Sequence, residues 1–440
     1  MLDELLRETQ FDAGPNGMYA APRMRGAHTG RDEVRYSIAH TSRLRVPPPR
    51  LAALVESLEP ELQPFIEPES GRIGTGLIAL MGGAVHFAEP EVTDFARTLI
   101  KAAALLGSEA SVRILRGWIA GEPYHFRIKL LLTGVQCDQP LALEAEGIQV
   151  EQLPKGGYPA DLAPYFPPLF LDMPSLNAYD LFGRTVLSVD GTASPALYRP
   201  TRTHGDDPDW NLRQVWAGGK IPCLTTEGWR EGLLEVLSIA CDGHVDWTHD
   251  WRDVGDVAAF NLGTSTPSWR VGVHPGGDVR LEKQHLELAR DLDVQWHARR
   301  QQGRSPEIAI RYWLKSKRPG VGLSDRFVDL RTALEALFTP GDRAELSFRL
   351  ALLGAWDLGA DFEERRRYYD LLRAAYTCGS KAVHSGGVKG TQENHKTLAD
   401  AQSACRKAIL QRLAEAEEPR DPIDVALGAP SGRSSGLTAV

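Results

Sequence analysis

Apolar residues recur at two different periods along the chain, and the two periods divide it into a mixed first half and a helical second half. Helical spacing comes first. Arg50–Leu62 places Leu51, Leu54 and Leu58 on one face, and Glu91–Leu106 does the same with Phe95, Leu99 and Ala102, with Asp94 in its first turn. The period then switches to two. In the segment from Tyr124 to Leu132, Phe126, Ile128, Leu130 and Leu132 alternate with His125, Arg127 and Lys129, the pattern of a half-buried strand. Val112–Trp118 and Leu141–Val150 read as further strands, and Val186–Tyr198 as a hairpin turning at Asp190-Gly191. A helix capped by Thr226 is predicted through Ala240, and Trp269–Lys283 reads as a hairpin turning at Gly276-Gly277.

From Gln284 onward the strand signals stop. Ser324 is a candidate cap for a helix carrying Phe327, Leu330, Leu334 and Leu337. Asp342-x-x-Glu345 and Asp361-x-x-Glu364 resemble capping boxes, opening a helix that ends near Gly359 and a long one running through Tyr376 toward His384. Asn394–Glu415, with Leu398, Ala401, Cys405 and Ile409, is the last. Short connections between such helices predict antiparallel packing in a bundle. The fold class expected is therefore α+β. An irregular lead-in (1–50) precedes a β-rich mixed domain for sensing or recognition (51–283), then a helical bundle (284–416) and a disordered Pro/Gly/Ser-rich tail (417–440).

Composition narrows the class. The 440 residues are 42% hydrophobic and 25% charged, enough for more than one core. The formal charge of −8 excludes bulk attraction to polyanions, so a nucleic-acid site needs a local basic patch. Five widely spaced cysteines without a C-x-x-C argue against a disulfide framework or a zinc ribbon and fit a cytoplasmic protein. The charged start Met1-Leu-Asp-Glu lacks a signal-peptide pattern, and no apolar run is long enough to span a bilayer, so no membrane association is expected.

The segment from Leu330 to Gly387 carries the most specific signal. It contains Leu330-Arg-Thr-Ala-Leu-Glu-Ala-Leu337 and then Tyr376-Thr-Cys-Gly-Ser-Lys-Ala-Val-His-Ser-Gly386. These strings resemble the Apea-like branch of the HEPN superfamily. Its marks are an Ala-Leu-Glu helix, an apolar Arg-containing helix and an end motif close to Tyr-x-x-Arg-Ser-x-x-Val-His-Gly. The likeness covers about residues 285–415. It implies an RNA-associated effector of prokaryotic defence or toxin type, working as a homodimer through the bundle, and a metal-independent endoribonuclease that needs no cofactor. In that chemistry a histidine accepts the ribose 2′-OH proton, since imidazole titrates near neutral pH, and a cation stabilises the phosphate.

His384 matches the family histidine, but the positions five to seven residues before it are Gly379, Cys378 and Thr377, so the motif arginine is absent. At about 100° per residue, Thr377, Ser380, Lys381 and His384 share a helix face. Arg373 lies on that face too, but about 16 Å up the axis from His384. Lys381 or a cation from a second protomer is then the candidate phosphate ligand, and Glu335 a candidate to orient His384. The competing reading ends the helix with a structural His384, pairs Glu335 with Arg331 at i,i+4, packs Tyr376, and uses Gly379 and Ser380 at a dimer seam. The protein would then be a binding or dimerisation module serving a sensor or a partner encoded nearby.

Two clusters remain. Arg299, Arg300, Arg304, Arg311, Lys315, Lys317 and Arg318 stand against one acid, Glu307, with Tyr312 and Trp313 among them. This is a candidate RNA-backbone strip, or else a solvated helix face over core aromatics. His244–Asp253 holds two histidines and three aspartates. A tryptophan-pinned acidic loop is expected there in preference to a metal site.

Overall fold

The computed structural model describes residues 1–12, 43–75, 80–81, 84–85, 90–153, 184–193, 197–199, 229–253, 255–260, 268–269, 279–301, 306–339 and 345–414. They form an α+β protein in two compact units. The first unit takes its described residues from Met1–Leu132, Gln136–Glu227 and Trp247–Val273, the second from Thr133–Val135, Gly228–Asp246 and His274–Val440.

In the first unit the lead-in begins with helix α1 (Leu2–Glu8), and three-residue strands at Gln10–Asp12 and Arg43–Arg45 pair with each other. Helices α2 (Pro48–Leu62) and α3 (Val92–Leu106) form where the leucine spacing predicts them, and Leu51, Leu54, Leu58, Phe95, Leu99 and Ala102 are all buried. Val112–Trp118 is not a strand. It belongs to helix α4 (Ser108–Ile119), because Ser111, Leu115 and Trp118 recur at helical spacing and are the residues that become buried.

The main sheet comprises β1 (Tyr124–Thr133), β2 (Leu141–Leu143), β3 (Ile148–Gln152), β4 (Thr185–Ala193), β5 (Asp246–Asp253) and β6 (Ser268–Trp269), in the order β6-β5-β1-β4-β3-β2. β1 is the predicted strand. However, Lys129 and Leu131 are buried as well as Ile128 and Leu130, so its second half is covered on both faces. Leu141–Val150 turns out to be the hairpin β2–β3. The predicted turn at Asp190-Gly191 is instead the middle of β4. Gly191 lies opposite Phe126 in antiparallel register, and a Cβ there would sit 2.5 Å from the Phe126 ring. The glycine admits an aromatic ring over the strand, not a reversal of the chain. The adjacent Asp190 faces Arg127 at 2.6 Å. The His244–Asp253 segment is likewise mostly strand β5 and not a loop, with Trp247 buried. Ser268–Trp269 pairs with β5, while the Val279 N–H donates to Gly134 O, so these two stretches do not form a hairpin with each other. Thr226 lies outside the described residues.

The second unit is helical: α5 (Trp229–Ala240), α6 (Lys283–Gln301), α7 (Glu307–Lys317), α8 (Leu323–Phe338), α9 (Leu346–Leu358), α10 (Phe362–Ser385) and α11 (Gln392–Ala414). Helix α11 touches α6, α7, α8, α9 and α10, and it buries Leu398, Ala401, Cys405 and Ile409. Its buried Gln402 accepts from the Trp313 indole at 2.9 Å through its backbone carbonyl and donates to Ser316 O at 2.7 Å through its side-chain amide. The Trp313 indole N–H, the Ser316 hydroxyl and the Gln402 side-chain N–H all find partners, as burial demands.

Helix α5 precedes the predicted boundary at 283/284 in sequence but belongs to the second unit. The Arg406 guanidinium donates to Ile239 O and Ala240 O, satisfying carbonyls left open at the end of α5. Helix α10 opens as predicted. Asp361 accepts from Glu364 N at 2.8 Å, and Glu364 reaches back to Ala360 N at 2.9 Å. Ser324 is not a cap. It sits within the first turn of α8 and accepts from Val388 N at 2.8 Å. Asp342 lies outside the described residues, and α9 starts at Leu346 behind Glu345.

Candidate functional site

Helix α10 carries the resemblance to its end, and its two faces have different fates. The inner face packs on α8. Gly379 lets the helices close up, since a Cβ there would lie 2.9 Å from Phe327 O and 3.0 Å from Arg331 Cβ. The glycine expected at a dimer seam is therefore used within the chain. One turn earlier, Tyr376 is buried beneath the Arg331 guanidinium, 4.6 Å from the ring centre, and Arg331 Nε donates to Glu335 at 2.8 Å. The Tyr376 phenol is pushed above its usual range, first by burial. The Arg331 charge opposes this and the Glu335 carboxylate adds to it.

Glu335 is thus engaged with Arg331 and Tyr376. Tyr376 lies eight residues from His384, about 12 Å along the helix. Beyond His384 the chain meets α8 at its other end, through Val388 and Ser324. The structure does not bring Glu335 to His384, and the orienting role expected of it is corrected to a helix-packing one.

The outer face of α10 is open. Arg366, Asp370, Arg373, Thr377, Lys381 and His384 are all exposed and recur at spacings of four, three, four, four and three, which is a single ridge. Arg366 pairs with Asp370 at 3.0 Å, and the Thr377 hydroxyl donates to Arg373 O at 2.8 Å. From Leu371 to Gln392 the sequence holds Arg373, Lys381, His384 and Lys389 and no acid. His384 lies in the last turn before Gly386, whose φ of +77° ends the helix in a conformation that suits glycine. The structure therefore places His384 and Lys381 together on an open basic surface.

The basic strip is largely dismantled. Arg299 is buried. Arg300 pairs with Glu307 at 2.9 Å and lies over Trp296. Lys317, with only 14% of its side chain exposed, is 2.8 Å from the Asp242 carboxylate and over the buried Trp313. Lys315 lies over the Tyr312 ring at 4.5 Å. Arg311 and Arg318 are exposed, and Arg304 lies outside the described residues. The strip does not present seven cations to one ligand.

His244 is largely enclosed, with Nε2 at 3.9 Å from Asp246 and a buried Nδ1 that has no hydrogen-bond partner. Burial pushes its pKa down, Asp246 opposes this, and Arg318 adds to it. Among the described residues no three His, Cys, Asp or Glu side chains are grouped to hold a metal ion.

The sequence reading overlooked an aromatic and basic set at the other end of the α10 ridge. Phe348 and Phe362 are exposed. Phe348 meets the Tyr369 ring edge-on, with centres 6.4 Å apart, and Arg366 lies 5.8 Å from that ring. The string Arg365-Arg-Arg-Tyr-Tyr369 was the available signal. The pairing with Phe348 was not, because it joins two helices. Comparison with protein-family models, with curated proteins and with solved structures finds no match to this chain.

Proposed function

We propose that this chain is an RNA-associated effector whose helical unit cleaves RNA without a metal ion, with His384 taking the 2′-OH proton. Lys381, one turn before it, supplies charge to the phosphate, and a cation from a second copy completes the site. One observation carries this reading: the exposed end of α10 offers an imidazole and an ammonium group in a run of 22 residues without a carboxylate. A phosphate diester approaching it meets cations and a base, on a stretch of helix face that carries no carboxylate from Arg373 to His384. The step is attack of the 2′-oxygen on the adjacent phosphorus, with loss of the proton to His384 and departure of the 5′-oxygen, leaving a 2′,3′-cyclic phosphate.

A second reading has its own observation. Glu335 and Tyr376 are engaged within the chain, and the motif arginine is replaced by small residues, which suits a module that binds without cleaving. Defence or toxin activity, homodimerisation and a partner encoded nearby belong to the proposal through the resemblance. The deciding experiment incubates purified wild-type and His384→Ala protein with mixed RNAs in EDTA and follows growth arrest on expression in cells. Loss of cleavage and of arrest in the variant supports the catalytic reading. Equal cleavage by both proteins removes His384 from the mechanism, and absence of cleavage by the wild type leaves the binding module.

A further inference from the structure

Resting on that reading, we infer that the outer ridge of α10 is a binding track for single-stranded RNA, with Phe348 and Tyr369 forming a base-stacking platform at its far end from His384.

The ridge is continuous. Taking Arg366 as reference, Tyr369, Asp370, Arg373, Thr377, Lys381 and His384 all fall within about 60° on either side at 100° per residue. From Arg366 to His384 it is about 27 Å long, the reach of a short single-stranded site of about four nucleotides. Its chemistry changes along that length. The end near His384 is cationic. Arg373 and Lys381 have no ion-pair partner among the described residues, whereas the only acid on the ridge, Asp370, is already occupied by Arg366.

The far end is aromatic. Phe348 is 52% exposed, an unusual placement for so large an apolar ring, and it is held in place edge-on to Tyr369, with Arg366 against the same tyrosine. Cations spaced along a helix with an aromatic pair at one end match a polyanion with unstacked bases. A duplex would offer phosphates but no free base face to Phe348. The protein as a whole carries −8, so the ridge is a local reversal of charge and not a sample of the average.

The test uses full-length protein and a fluorescent 2′-O-methyl oligoribonucleotide, which cannot be cleaved by 2′-OH attack. Binding is read by anisotropy across a salt series, and the fold of each variant by circular dichroism. We expect the Arg373→Gln/Lys381→Gln double variant to bind about tenfold more weakly at low salt, with a salt slope shallower by about 2. Phe348→Ala should lose about tenfold at every salt concentration, since stacking does not depend on counterion release. Lys283→Gln, which removes an exposed charge elsewhere on the second unit, sets the background.

Wild-type failure to bind, or ridge variants that bind like Lys283→Gln, overturns the track. So does light scattering that shows the same substitutions splitting a dimer, since the ridge would then be occupied by a second copy. Cleavage of ordinary RNA is scored separately. Intact binding by the ridge variants together with loss of cleavage in His384→Ala sinks the track alone, and weakened binding together with unchanged cleavage in His384→Ala sinks the catalytic assignment alone.

Discussion

The Lys317 ammonium group lies 2.8 Å from the Asp242 carboxylate and also donates to the Asp242 backbone carbonyl at 3.1 Å. Asp242 sits at a φ of +52°, and its other carboxylate oxygen accepts from Ser403 at 3.3 Å. One residue from the predicted RNA strip is thus a fastener between α7, α11 and the end of α5. Removing one partner of a largely enclosed ion pair leaves the other uncompensated. Because Asp242 is 37% exposed, Asp242→Asn should cost only about 1–2 kcal/mol in urea unfolding, and Asn keeps the tolerance for positive φ. Lys317→Met should cost a similar amount. RNA affinity distinguishes the roles: a fastener lowers stability in both variants, while a phosphate ligand would lower affinity in Lys317→Met alone.

Gly191 is predicted to be intolerant for a steric reason, not a conformational one. A Cβ at this position would penetrate the Phe126 ring contact at 2.5 Å, on a strand held by β1 on one side and β3 on the other. Gly191→Ala should destabilise the first unit by about 1–3 kcal/mol through overpacking. Phe126→Leu alone should also destabilise, by removing buried ring area. The double variant should recover part of the sum, because the two changes share one contact. Strictly additive losses in chemical denaturation would contradict the ring-over-glycine account.

The pH dependence of stability should carry a histidine component of defined sign. His244 is pushed below its ordinary value of about 6.5, and His285 shifts the same way, both chiefly by burial. The unfolded chain then takes up protons first. The stability these groups contribute is fully present above about pH 6.5, and it falls as pH drops from there through the lowered folded values. Asp293 and Asp329, raised by burial, act in the opposite sense, so the histidine component is read from the difference between variant and wild type and not from the whole profile. Thermal melts of His244→Leu from about pH 5.5 to 8 should show a flatter profile than wild type. An unchanged slope would remove His244 from the account.

Local periodicity made much of the helical unit legible. The apolar spacing in α8 and α11 and the Asp361 capping box depend on residues within a turn or two of one another, and they appear in the structure as read. Features that depend on distant residues were not legible. Gly191 signalled a turn until Phe126, 65 positions earlier, supplied a ring to cover it. Val112–Trp118 looked alternating because Arg113 and Arg116 fall between apolar residues, yet burial follows Ser111, Leu115 and Trp118. The basic strip is broken up for the same reason. Charge density along a sequence does not reveal that Asp242, 75 residues away, has claimed Lys317. His384 and Lys381 were placed together correctly because their relation is three residues of helix. Their separation from Glu335 needed the direction in which α8 and α10 pack.

That separation yields the last prediction. Glu335 accepts from Arg331 at 2.8 Å with both side chains largely enclosed, and Arg331 covers Tyr376. If the trio only locks α8 to α10, Glu335→Gln should cost about 1 kcal/mol and leave cleavage by folded protein at the wild-type rate. The Tyr376 phenol offers a spectroscopic check. Glu335 helps hold it protonated, so in Glu335→Gln its ultraviolet titration should move down toward the ordinary tyrosine range, though not all the way, because burial is the larger cause. Tyr376→Phe should leave the helices packed but abolish that titration. A large loss of cleavage in Glu335→Gln at unchanged stability would return Glu335 to the chemistry. It would also require α8 and α10 to shift along each other by about two turns before the carboxylate could reach His384.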